Sequence, residues 1–276
     1  MHLAGIVPLS GCEVTESCEG ALFHPSLARL STHLLAVERS ILECNLAGCE
    51  TIWVVCNEDM QPIIKSRIGD SVSCLESIRS SMFSPLQSEK VKQIPIFYVP
   101  VPLSLRGKRD SLGWSILHGA NESFMVSAKI SKWLQPNKYY VCFPYSVYDP
   151  ETPSKHKKIL TSTHNLVFTS GGQSIQTGSL IGFTFRPEDF KRIRKNIKKE
   201  CTGSVSKPHW SSRNFKVDKF FKCGNIDNVR KVELDHFYSC RSWDEYLVFL
   251  RSEHATFYDK FDLQKLNSII KERVIT

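Results

Sequence analysis

The chain has 276 residues, 41% of them hydrophobic and 11% aromatic, with a formal charge of +8 from 36 Lys and Arg against 28 Asp and Glu. That content can bury one large core or two smaller ones, and no run of about eighteen apolar residues offers a membrane span. The first residues lack a charged segment followed by a long apolar one, so a cytoplasmic protein with no membrane partner is expected.

Leu3 to Leu9 reads as an apolar strand that runs through Ser10-Gly11 into a polar loop ending at Gly20, a ligand-facing segment. The next stretch, Leu34 to Gly69, is the most informative. Leu35, Val37, Ile41, Leu42 and Leu46 recur at helical spacing, Gly48 stands where a helix C-cap wants a left-handed residue, and Ile52 to Cys56 make a buried strand. Pro62 to Ile68 adds a second helix, which completes a βαβ-type pattern. Ligands of open α/β sheets bind beyond the carboxyl ends of the strands, so Asn57, Glu58 and Asp59 fall where a binding loop belongs.

Ser71 to Ser88 is a Ser-rich connector with some helical character. Pro95 to Leu103 is apolar but interrupted by prolines, which predicts an edge strand or one that stops at Pro100. Arg106-Gly107-Lys108-Arg109-Asp110-Ser111 then packs three cations before a helix start, the strongest candidate phosphate contact. The helix covers Leu112 to Leu134. Tyr139 to Phe143 predicts a central strand, whose carboxyl end delivers Pro144 to Asp149, the position of a metal-binding acid in a doubly wound enzyme.

Leu166 to Phe168 and Gly178 to Phe185 read as strands around the turn Ser170-Gly171-Gly172-Gln173; the Gly-Gly-Gln tripeptide is a chance match and carries no function. In Pro187 to Glu200, Phe190, Ile193 and Ile197 share one helical face, so the Lys and Arg residues form a solvated face, with a polyanionic partner as the alternative. Between Lys207 and Lys222, the residues Trp210, Arg213, Phe215, Lys216, Lys219, Phe220 and Phe221 interleave aromatics with cations. That pattern is the one single-strand nucleic-acid binders use for stacking and phosphate contact, and a subdomain core strand with lysines outward explains the same residues. The last third predicts a strand from Lys231 to Tyr238 and helices from Trp243 to His254 and Leu263 to Arg273.

The ten cysteines are scattered, several of them inside apolar strands such as those of Cys56 and Cys142, so reduced, buried thiols are expected and a sulfur-ligated metal is not. No Ser or Cys sits in a nucleophile elbow with a His partner. His24, His33 and His118 are isolated and read as structural.

Taken in order, these pieces resemble the sugar-1-phosphate nucleotidyltransferases. Leu9-Ser10-Gly11 takes the place of the family's glycine-rich loop, Pro25 to Leu27 that of its proline-lysine-x-leucine element, and Leu112-Gly113-Trp114-Ser115-Ile116-Leu117 that of its leucine-glycine-threonine-alanine segment. Val232-Glu233-Leu234-Asp235 followed by Trp243-Asp244-Glu245-Tyr246 resembles the late strand and helix that carry the second metal ligand. The resemblance implies a GT-A/Rossmann-like mixed sheet flanked by helices, with a nucleotidyltransferase-like α/β domain over residues 1–200 and a small C-terminal α+β extension over 201–276.

It also implies transfer of a nucleoside monophosphate from a triphosphate to a sugar phosphate, with Leu9, Ser10, Gly11, Arg106 and Gly113 binding the nucleotide. Arg29, Lys108 and Arg109 would act on the phosphates, and Asp149 and Asp235 on Mg²⁺. The chain departs from the family at three places. Gly11 is followed by Cys12-Glu13-Val14-Thr15-Glu16, Ser26 replaces the catalytic lysine, and Tyr145 replaces the first metal aspartate, leaving Asp149 a few residues late. Two other readings stay open. One is a glycosyltransferase of the same fold using the acids of Tyr148-Asp149-Pro150-Glu151, and the other is a non-catalytic fold-mate that binds protein or nucleic acid through basic residues 191–222.

Overall fold

The computed structural model describes residues 1–11, 24–78, 91–105, 111–130, 135–203, 215–226 and 229–261, without the side chains of 198–203. Strand β1 (Leu3–Pro8) leads through a 3-10 turn (Pro25–Leu27) to α1 (Ala36–Leu46), β2 (Thr51–Asn57), α2 (Gln61–Ile68), β3 (Ser71–Ser73) and β4 (Gln93–Val101). Next come α3 (Leu112–Ile130), β5 (Lys138–Val141), β6 (Ser146–Val147), the short helices α4 (Thr152–Lys155) and α5 (Lys157–Leu160), and β7 (Asn165–Ser170). Then follow β8 (Gln173–Ser174), β9 (Phe183–Phe185), α6 (Pro187–Gly203), α7 (Val217–Gly224), β10 (Val229–Glu233), β11 (Tyr238–Ser239), α8 (Trp243–Leu250) and a 3-10 helix (Ala255–Lys260).

The main sheet runs β10-β7-β9-β5-β1-β2-β4-β3, with β8 hairpinned onto β7, while β11 and β6 form a separate antiparallel ribbon. Strands β1, β2, β4 and β5 are mutually parallel, and so are β7 and β10. Between β5 and β7 lies β9, antiparallel to both. The period of two in each strand divides its side chains between two cores. Ala4, Ile6, Trp53, Val55, Tyr139, Val141 and Phe183 join α3, α6 and α7 on one face. Leu3, Val7, Ile52, Val54, Tyr140, Cys142 and Phe168 join α1 and α2 on the other. β10 belongs to this sheet, so the residues beyond 228 complete it.

β4 carries one ladder at a time, β3 over Gln93–Pro95 and then β2 from Ile96 to Val101, so its prolines have the one-sided pairing of an edge, and the strand stops one residue past Pro100. Four expectations need correction. The strand expected over Gly178 to Phe185 shrinks to β9, and that over Lys231 to Tyr238 splits into β10 and β11. Of the basic aromatic segment, the part from Val217 on forms helix α7 rather than a strand, and Phe215, Phe220 and Phe221 lie in the core, while Trp210 and Arg213 lie outside the described residues. The helix expected over Leu263 to Arg273 lies outside the described residues.

The fourth correction concerns α1, which is buried on every side from Ala36 to Asn45 instead of being amphipathic. Val37, Ile41 and Cys44 pack on the sheet, while Ala36 and Leu42 meet a third cluster formed with Val147, Tyr246, Phe249 and Tyr258. The segment around α8 therefore covers the polar face, which becomes an internal network. Arg39 bonds Glu43 at 2.9 Å with both side chains 0% exposed. Tyr140 and Tyr148 hydroxyls both donate to Glu43 Oε1, and Arg39 Nε donates to the Tyr148 carbonyl at 3.1 Å. Beside this network, Cys44 Sγ on α1 lies 3.4 Å from Cys142 Sγ just past β5, both free thiols.

Candidate nucleotide site

The carboxyl ends of β1, β2, β4 and β5 share one edge of the sheet, and the residues beyond them make its crest. Leu9 and Ser10 N–H both donate to the Val55 carbonyl, at 2.7 and 3.2 Å. The Leu9 carbonyl accepts the Tyr145 hydroxyl at 2.9 Å, the Ser10 carbonyl accepts Ser115 Oγ, and Ser10 Oγ donates to Asn57 Oδ1 at 2.6 Å. Leu9 and Ser10 thus shape the crest through internal bonds. Asn57, placed in a binding loop by its position after β2, is the residue that fixes Ser10.

Gly11 is held against the start of α3: a Cβ there would stand 2.9 Å from Leu112 N and 2.7 Å from Leu112 Cγ. Gly113, one residue further on, is pressed by Phe215, whose carbonyl would meet an added Cβ at 2.4 Å and accepts Ser111 Oγ at 2.7 Å. Two glycines and two serines therefore bring the end of β1 onto the N-terminus of a 19-residue helix, where free N–H groups and the helix dipole favour an anion. Leu9, Ser10, Gly11 and Gly113 come together here. Arg106, Lys108 and Arg109 lie outside the described residues, and Arg29 is exposed beside α8, its carbonyl accepting the Tyr246 hydroxyl.

His24 is half-buried near the same crest, its ring centroid 6.1 Å from that of Tyr145, with Nδ1 accepting Ser26 N–H at 3.3 Å and lying 2.7 Å from Ser26 Oγ. Burial pushes its pKa down to about 4 against the opposing field of Asp59, so the ring is neutral at pH 7. Ser26, at the position of the family's lysine, is 0% exposed and serves this local cap.

The acidic corner lies further along. Asp149 Oδ1 accepts Glu151 N–H at 2.9 Å, its carbonyl accepts Thr152 N–H at 3.1 Å, and its Oδ2 pairs with Lys155 Nζ at 3.1 Å. The bond and charge of Asp149, with Asp235 and Glu151 behind it, raise the Lys155 pKa. Asp235 is exposed at the end of β10, and the next residue, His236, stacks on His254 at 4.0 Å. Among the described residues no three His, Cys, Asp or Glu side chains form a group that could hold a metal. Mg²⁺ wants near-octahedral oxygen ligands. Here the first position is a phenol bonded to backbone, Asp149 is bonded to an ammonium, and only Asp235 offers an exposed carboxylate. The donor set does not fit the ion that the resemblance implies. Lys155 was missed in the sequence; its spacing of six from Asp149, across a Pro-initiated turn of helix, was the available signal.

A parallel sheet carrying one reversed interior strand, with helices on both faces and the candidate ligand edge at its crest, is a GT-A-like α/β fold. Solved structures agree over nearly the whole chain. A protein from Bacillus anthracis described as a glucose-1-phosphate thymidylyltransferase, in complex with a sucrose, is similar at a TM-score of 0.56 and 5% identity, covering 90% of this chain and 93% of that one. UDP-glucose pyrophosphorylase complexed with UDP-glucose is similar at 0.55 and 12% identity, covering 94% and 99%. Its apo form gives 0.53 at 12% identity. No protein-family model matches the sequence, and no curated protein matches it. No helix among the described residues is long and apolar enough to cross a membrane.

Proposed function

We propose that this chain is a diverged nucleotidyltransferase-like protein that binds a nucleotide or nucleotide sugar on the crest, with its phosphates at the N-terminus of α3. The observation that carries the reading is the contact of Gly11 with Leu112, which sets β1 against the helix start without side-chain bulk, in a fold shared with a pyrophosphorylase complexed with UDP-glucose. Arg106, Lys108 and Arg109 supply positive charge to the phosphates in this reading. If the reaction is retained, a sugar phosphate oxygen attacks the α-phosphorus of a nucleoside triphosphate and pyrophosphate leaves, the cations stabilising charge as it develops. No step is assigned to Mg²⁺.

Calorimetry of the full chain against UDP-glucose and a panel of nucleoside triphosphates tests this. Binding is expected, with loss in Gly11→Ala and weakening in Lys108→Ala and Arg109→Ala; no heat across the panel refutes it. The nucleic-acid alternative loses ground, because the stacking it needs is denied to Phe215, Phe220 and Phe221, at 1%, 0% and 5% exposure. The exposed Lys191, Arg194 and Lys195 of α6 cover a helix whose Phe190, Ile193 and Ile197 are core, the ordinary solvated face.

A further inference from the structure

The acidic corner of the crest contains its own cation. Tyr145 carries no carboxylate to the end of β5, and its hydroxyl is held by the Leu9 carbonyl. Asp149 arrives four residues later, beyond β6, and both its side-chain oxygens are committed: Oδ1 to Glu151 N–H, Oδ2 to Lys155 Nζ. The Asp149 side chain is 12% exposed and that of Lys155 55%, so the acid is sheltered while the ammonium reaches it from the surface. Lys155 is the last residue of α4, and the Thr152 N–H to Asp149 carbonyl bond that starts this helix fixes the spacing of acid and ammonium. The ribbon of β11 on β6, with Tyr238 opposite Val147, draws residues 235 to 239 alongside this corner.

We propose that Lys155 is the resident cation of this corner, and that phosphate-bearing ligands bind the crest without a divalent metal. A divalent ion needs unpaired carboxylate oxygens at about 2.0–2.1 Å, in the case of Mg²⁺. Both Asp149 oxygens are committed while Lys155 is in place, so this carboxylate is not offered to a second cation. The metal half of the inference stands on this ion pair alone; the ligand half rests on the nucleotide reading above.

Mn²⁺ titration of the full chain, followed by electron paramagnetic resonance without nucleotide, tests the metal half. Wild type is expected to leave Mn²⁺ free, Lys155→Arg to behave like wild type, and Lys155→Met to bind the ion through the released Asp149. Stoichiometric Mn²⁺ on wild type, lost in Asp149→Asn, would overturn it, as would a Lys155→Met protein that still ignores Mn²⁺. Calorimetry with UDP-glucose tests the ligand half: equal affinity in EDTA and in Mg²⁺ is expected. Lys155→Met should bind about tenfold more weakly in EDTA, the scale of one charged hydrogen bond. A marked gain with Mg²⁺ in wild type overturns the inference. No binding in either buffer instead defeats the nucleotide reading, while the Mn²⁺ result still decides the cation.

Discussion

Glu43→Gln keeps the shape of a buried side chain and removes only its charge. Arg39 and Glu43 are both 0% exposed, so solvent does not screen the pair and no discount for exposure applies. The variant leaves the guanidinium buried opposite a neutral amide, while Oε1 can still accept from Tyr140 and Tyr148. Breaking one partner of a buried pair costs about 3–5 kcal/mol, a large part of a domain's total of roughly 5–15 kcal/mol. At roughly 2–4 °C per kcal/mol, the melting temperature should fall by roughly 6–20 °C. Differential scanning calorimetry reads this directly, and an Arg39/Glu43 double-mutant cycle isolates the pair. A Glu43→Gln protein melting within about 2 °C of wild type would refute the claim that an uncompensated buried charge sets the cost.

Three further outcomes follow. Because the His24 pKa is lowered to about 4 in the fold, the unfolded chain binds more protons between that pH and about 6.5, and stability is lost as pH falls through this window. The full effect is about 3 kcal/mol, and His24→Asn should flatten urea-unfolding midpoints measured across it. Gly113→Ala drives a Cβ toward the Phe215 carbonyl, where backbone must move; a loss of about 1–3 kcal/mol is expected in chemical unfolding. Phe220→Ala empties a core position packed edge-to-face against Phe183 and Phe185 and should cost about 3–5 kcal/mol by thermal unfolding. A small effect there would reopen the stacking role for α7.

The parallel half of the fold was legible because its strands are short apolar runs and its helices keep a period near 3.6. Leu34 to Gly69 gave α1, β2 and α2 with small boundary shifts, and Gly48 does stop α1 with a φ of 82°. The misreadings arose where tertiary context overrode local pattern. Nothing local shows that α8 folds back over α1, so the apolar spacing does not reveal that Arg39 and Glu43 are buried. Pro95 and Pro100 read as edge signals, and each does face a ladder on one side only. In the candidate site, Gly11 and Gly113 could be read because a close approach of backbones demands glycine. Lys155 is not read this way, since its spacing of six from Asp149 is the available local signal and the rest depends on where the ribbon of β6 and β11 comes to lie.

The contact between Cys44 and Cys142 gives the molecule an internal clock. Burial pushes both thiols well up, so neither is a reactive thiolate while the helix is seated. A thiol reagent must wait for α1 to lift from the sheet, and that lift exposes Arg39 and Glu43 at the same instant. The labelling rate of these sulfurs therefore times the opening of the central helix, without a probe having to be introduced.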